Sequence, residues 1–145
     1  MGLLAQEGLI VAAIDNSDGL LPTLAQLAET NSLSVQLDLD RLPIPDGASE
    51  LGVDPARLWL GWGDWNVIAV VCPNTLQQVL HTAVDRGIVV TLIGEFVAGE
   101  PGVVIRRGDV IQIAPRLESE RFARDSWFSS GIQGYIDLLL SVELP

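Results

Sequence analysis

Leu9-Ile10-Val11-Ala12-Ala13-Ile14-Asp15-Asn16-Ser17-Asp18-Gly19-Leu20-Leu21-Pro22 is the stretch around which the rest of the chain is organised. Residues 9–14 are an apolar run rich in strand formers, so they are expected to form a strand. With both faces apolar, that strand is expected near the centre of a sheet. The run then delivers two carboxylates and a hydroxyl, Asp15, Ser17 and Asp18, within four residues. Gly19 follows and opens an amphipathic segment. The first N–H groups and the dipole of a helix favour an anion at its N-terminus. Two carboxylates would repel a phosphate, but Mg²⁺ takes carboxylate and phosphate oxygens together. The stretch therefore reads as Asp15 and Asp18 on metal, with Ser17 and the backbone at Gly19 on phosphate oxygen. A structural alternative stands beside this. Ser17 or Asp18 caps the helix, as both residue types commonly do, and Gly19 only lets the backbone turn.

The bulk of the sequence fits a globular domain. Its 145 residues suffice for one hydrophobic core. At 48% hydrophobic and 19% charged, with positive mean hydropathy, it is not a disordered composition. No run of about 18 apolar residues exists to span a membrane. The first residues lack the basic start of a secretion signal. The net charge of −11 argues against nucleic acid and anionic lipid as partners, since both require basic patches. The single Cys72 lies in the run Ile68–Cys72 and reads as a buried core thiol. The cytoplasm is the default compartment for such a chain. His81 has no Cys or His near it in sequence, so a helix-surface histidine is expected rather than a zinc ligand.

Along the chain, Leu20, Leu21, Leu24, Leu27 and Ala28 share one helical face. Pro22 confines the start of that helix to its own neighbourhood, and Thr30-Asn31-Ser32 ends it. Ser34–Leu39 alternates as a half-exposed strand. Residues 40–54, with two prolines and two glycines, read as a loop. Asp54-Pro55 starts a short helix that ends near Gly61. Asn66–Cys72 reads as a strand, and Leu76, Val79, Leu80, Ala83 and Val84 as a helix ended by Gly87. Ile88–Val97 reads as a long strand interrupted at Gly94. Residues 103–105 and 110–113 flank Arg106-Arg107-Gly108-Asp109 as a hairpin. Residues 116–126 are polar and charged, and Ser129 or Ser130 starts a last helix. The order gives an α/β (α+β) fold, a layered mixed β-sheet with helices packed on it.

Two further clusters carry chemistry. Trp59-Leu60-Gly61-Trp62-Gly63-Asp64-Trp65 places three indoles and one acid in seven residues. Its rings either stack on a heteroaromatic ligand, with Asp64 orienting a cation or hydroxyl, or fill the core. Trp127-Phe128 reads as an aromatic anchor for the last helix. Arg106 and Arg107 either meet a phosphate or are solvated hairpin residues.

Ala12-Ala13-Ile14-Asp15-Asn16-Ser17-Asp18-Gly19-Leu20 resembles the D-x-S-D-G-L signature that opens the C-terminal domain of thiamine-monophosphate kinases. These belong to the wider group related to aminoimidazole ribonucleotide synthetase. Leu42-Pro43-Ile44-Pro45, Gly61-Trp62-Gly63-Asp64-Trp65-Asn66-Val67 and Ile93-Gly94-Glu95-Phe96 resemble later family segments, in the right order, over residues 9–106. The resemblance implies a layered α/β domain with partial ferredoxin-like topology. It implies ATP and Mg²⁺ as cofactors and a small-molecule phosphate as substrate. It also implies an N-terminal ATP-binding domain as partner and a homodimer when complete. It sets Asp64 and Trp65, and Trp127 near the C-terminus, toward the substrate. Gly63 departs from the family, which has a glutamate there, and this bears on the substrate more than on the fold. On this resemblance, residues 1–145 are one domain, the C-terminal half of a longer or split two-domain protein, and turnover is not expected of the chain alone. Two function classes follow: a contributing half of an ATP-dependent phosphotransferase, or a non-catalytic binding or assembly module of the same fold.

Overall fold

The computed structural model describes residues 2–61, 66–117 and 127–145, without side-chain placement at 3, 127–130 and 132. The described elements run, in order, α1 (Gly2–Gln6), β1 (Ala12–Asp15), α2 (Leu20–Asn31), β2 (Ser34–Asp38), α3 (Arg57–Leu60), β3 (Val67–Val70), α4 (Leu76–Asp85), β4 (Gly94–Val97), β5 (Gly102–Arg107), β6 (Val110–Ile113) and α5 (Trp127–Ser141). Single 3₁₀ turns at Leu39–Arg41, Ala48–Leu51 and Pro73–Thr75 join them. The outcome is the expected mixed α+β fold.

The strands form two sheets. β1 and β3 make an antiparallel ribbon, with Ala12 opposite Val70 and Asp15 opposite Val67. The second sheet runs β4-β2-β5-β6. Within it β2 is antiparallel to β4 and parallel to β5, and β5 and β6 form the expected hairpin. β1 is therefore not the central strand that its apolar run suggested. It pairs on one side only among the described residues, and Val11 beside it is 65% exposed. β2 is instead an inner strand of the larger sheet, between β4 and β5. Its residues Ser34, Val35, Leu37 and Asp38 are buried, where simple alternation predicted every second residue exposed.

α2 holds the core. Leu20, Leu21, Leu24 and Ala28 pack on Val35 and Leu37 of β2, Val103 and Ile105 of β5, and Ala56 and Leu60 around α3. Each fully buried Leu contributes about 1.5–3 kcal/mol of transfer free energy. A smaller cluster of Leu4, Leu9 and Val79 fixes α1 and α4 beside the ribbon.

Three local expectations are corrected. Of Ile88–Val97 only Gly94–Val97 is strand. Pairing starts there because Gly94 lies opposite Leu37 and against the Gln36 carbonyl, so close that a side chain would overlap it. The preceding apolar residues are instead largely exposed, Val89 at 93%. Cys72 is exposed, because the chain leaves the ribbon before it and turns at Pro73. α5 begins at Trp127, and Gly131 breaks it with a non-helical backbone. His81 is a surface helix residue facing Asp85 at 3.3 Å.

The arginines of the hairpin are not merely solvated. Arg106 bonds Asp38, which also receives Arg41 at 3.1 Å. Arg107 forks onto both oxygens of Asp54, at 2.6 and 3.1 Å. Asp54 also accepts from Ala56 N at 3.0 Å in the turn before α3, whose N-cap is Ala56 rather than the expected Asp54. The Arg107 guanidinium holds the Asp54 carboxyl below its usual value near 3.8, and outweighs the opposing effect of burial. A group whose pKa is lowered by folding adds stability above its unfolded pKa, and that share is lost as pH falls through the folded value. Asp54→Asn should therefore cost about 1–3 kcal/mol at neutral pH. The difference from wild type should shrink as pH drops below about 4. Urea unfolding of both proteins between neutral pH and strong acid measures it, and a constant difference would rule the pair out as its source.

Candidate functional site

The acidic turn is built by the end of β1 and the start of α2. Asp15 is exposed, Asn16 buried, and Ser17 and Asp18 half-buried. Ser17 folds back onto Asp15, where its N–H and hydroxyl both donate to Oδ1. Gly19 N donates to Asn16 O at 3.1 Å and closes the turn. Gly19 is the N-cap of α2, and no side chain caps that end. Among the described residues, Ser17 and Asp18 thus do not cap the helix, and Ser17 instead ties the turn to Asp15. Pro22 sits in the first turn, where its missing N–H costs nothing.

Two contacts bind this turn to the ends of the tryptophan-rich segment. Gly19, at φ 98°, lies with its Cα against the backbone of Gly61. Gly61 also lies against Tyr135 Oη and Leu139 of α5. At the other end of the segment, Asn16 N donates to Asn66 O at 2.9 Å. Gly61 and Asn66, the described residues that flank the segment, thus both lie against the acidic turn. Asp64 and Trp65 themselves lie outside the described residues, as does the side chain of Trp127 at the start of α5. Trp59 is described. It packs on the core and donates its indole N–H to Pro43 O at 2.8 Å, so this ring belongs to the fold.

Sequence reasoning gave Asn16 no role of its own. Its side chain is 0% exposed, and neither Oδ1 nor Nδ2 has a hydrogen-bond partner among the described residues. An unsatisfied buried polar group costs about 1–3 kcal/mol. The alternation of β1 held the only signal: with Asp15 outward, Asn16 must face inward.

The donor set can be weighed against a metal. Among the described residues no three His, Cys, Asp or Glu side chains group to hold an ion. A closed protein cage is therefore not what this chain offers. Mg²⁺ does not demand one, since it commonly takes one or two carboxylates, keeps waters and binds phosphate oxygens. Two acids, a hydroxyl and an uncapped helix start fit such an ion as part of a shared site.

Residues 1–107 match the family described as AIR synthase related protein, C-terminal domain. The chain belongs to this family. A thiamine-monophosphate kinase of Caulobacter vibrioides is 36% identical over 96 residues, which are 61% of this chain and 27% of that protein. Two crystal structures resemble the domain. One, from Thermus thermophilus, is 35% identical with a TM-score of 0.66 and covers 79% of this chain and 36% of its own. The other, a thiamine-monophosphate kinase from Stenotrophomonas maltophilia, is 28% identical with a TM-score of 0.63 and covers 70% and 33%. This AIR synthase related domain thus spans about a quarter to a third of the length of these relatives. No helix among its described residues is long and apolar enough to cross a membrane.

Proposed function

We propose that this chain is the C-terminal domain of an ATP-dependent, Mg²⁺-dependent phosphotransferase resembling thiamine-monophosphate kinase and acting in the cytoplasm. The observation that carries it is the α2 N-terminus, left without a side-chain cap beside Asp15 and Asp18. Asp15 and Asp18 would hold Mg²⁺, which supplies charge neutralisation between phosphate oxygens. Ser17 and the backbone at Gly19 would meet the nucleotide phosphates. Asp64 and Trp65, on a segment whose flanks meet the acidic turn, and Trp127 would face a small-molecule phosphate acceptor. The N-terminal ATP-binding domain of the complete protein, a homodimer, would supply the other half. Phosphoryl transfer needs mostly positioning and charge neutralisation, so a domain that contributes one wall of the site contributes to the rate.

Thermal unfolding of the chain with Mg²⁺, ATP and thiamine phosphate tests this, alone and with the N-terminal domain added. Ligand at about 100 times its dissociation constant should add about 2.7 kcal/mol to the native state. The shift should vanish in Asp18→Asn. A second reading rests on Gly63, which stands where the family has a glutamate. It makes the chain a non-catalytic binding or assembly module, and no shift even with the N-terminal domain present would favour it.

A further inference from the structure

β3, β2 and β4 bound a cavity of about 530 Å³ that the proposed function does not use. Leu24, Ile68, Val70, Leu92, Ile93 and Phe96 supply its apolar lining, and none of Asp15, Ser17, Asp18 and Gly19 reaches it. Ile68, Ile93 and Phe96 pack on the core yet stay only partly buried, and Leu92 is 40% exposed. Protein interiors are otherwise close-packed, and apolar groups that line a gap forgo contacts which a fitting body would supply. A cavity of this size, apolar with a few convergent polar groups, has the make-up of a small-molecule site.

The polar groups of the lining have a definite sign. Asp38, Arg41 and Arg106 all line the cavity. The pairing of β2 with β5 sets Arg106 opposite Asp38, and the turn after β2 brings Arg41 back to it. Both guanidiniums donate to the one oxygen Asp38 Oδ2, Arg41 through Nε at 3.1 Å and Arg106 through Nη2. Asp38 Oδ1 accepts from Asp40 N at 3.1 Å. One carboxylate thus balances two cations. A guanidinium carries five N–H donors, and neither arginine makes a further hydrogen bond among the described residues. Glu95, the other acid of the lining, pairs with neither of them. An anion at this place would take the remaining donors in charge-assisted hydrogen bonds.

We propose that this cavity binds a small organic acid with a ring-containing apolar body, its carboxylate on Arg41 and Arg106 and its body beside Ile68, Val70 and Phe96. A ring suits the place better than a flexible chain, because it loses less rotamer freedom on binding and can stack on Phe96. The proposal is independent of the metal and phosphate roles of the acidic turn.

The test is calorimetric titration of this chain with 1-naphthaleneacetate and with 1-naphthaleneethanol, which share the ring body and differ in the acid group. Wild type should bind the acid at least about 10-fold more tightly, the usual worth of hydrogen bonds to a charged group. Arg41→Gln should abolish that preference and leave the alcohol's affinity unchanged. The Arg41 side chain is 51% exposed and Asp38 keeps Arg106, so this variant should fold as wild type does. Val70→Trp adds an indole on the same side of β3 as Ile68, and should weaken both compounds at least about 10-fold by filling the cavity. Equal wild-type affinities for acid and alcohol, or an acid preference kept in Arg41→Gln, would overturn the proposal. So would binding of neither compound to wild type, or wild-type affinities in folded Val70→Trp. The wild-type comparison and Arg41→Gln decide the matter even where Val70→Trp fails to fold.

Discussion

Gly19→Ala is expected to destabilise the domain by at least about 3–5 kcal/mol, enough to unfold a protein of ordinary stability. Two costs add. The backbone at Gly19, φ 98° and ψ 159°, is a conformation that residues with a side chain rarely adopt, at about 1–3 kcal/mol. The new Cβ would also stand 2.2 Å from the carbonyl oxygen of Gly61 and 2.5 Å from its carbonyl carbon. These are backbone atoms, not the far end of a flexible side chain. Gly61 is itself closely packed, with Tyr135 Oη and Leu139 against its Cα. Gly47→Ala is the control. That residue also has positive φ, 79°, but nothing within 4 Å of an added Cβ, so only the conformational cost of about 1 kcal/mol applies. Urea unfolding of the two variants separates strain from collision. Equal losses would mean that the acidic turn and the start of the tryptophan-rich segment do not pack back to back.

That contact also marks the limit of what the sequence discloses. Apolar spacing alone located α2, α4 and the β5–β6 hairpin, because each depends on neighbours a few residues away. Pro22 located a helix start, and Asp54-Pro55 the turn before one, for the same local reason. The errors arose where distant parts of the chain decide. The apolar run 9–14 looked central, but its strand pairs only with β3, far along the chain, as in Ala12 with Val70, which no local pattern reports. The run 88–93 has every propensity for a strand, yet the strand starts only at Gly94, which lies against the Gln36 carbonyl of β2. Arg106 and Arg107 looked solvated because their partners, Asp38 and Asp54, lie in other segments. For the site, the signature residues Asp15, Ser17, Asp18 and Gly19 were legible as a set. Their link to Gly61 and Asn66, and the orphaned amide of Asn16, were not, since both require the folded arrangement.

If the proposed phosphotransferase function holds, Asp18→Asn in the full-length protein should reduce Mg²⁺-dependent turnover at least about 100-fold, equivalent to about 2.7 kcal/mol of transition-state stabilisation. The substitution keeps size and shape and removes one negative charge. Asp18 is half-buried and, among the described residues, caps no helix. Its own stability effect should therefore stay within about 0.5 kcal/mol. Asp15 differs, because its Oδ1 receives both Ser17 donors and so shapes the turn. Asn at position 15 still offers an acceptor oxygen, so the turn should survive while the charge is lost. The pair of variants then separates two causes. If both charges hold the cation, both variants should be rescued in part by higher Mg²⁺, since weaker binding is overcome by mass action. If Asp15 acts only through the turn, Asp15→Asn should keep near wild-type turnover, while Asp15→Ala, which releases Ser17, should lose it at every Mg²⁺ concentration. Unchanged turnover in Asp18→Asn would place the metal elsewhere and leave the uncapped start of α2 to the phosphate alone.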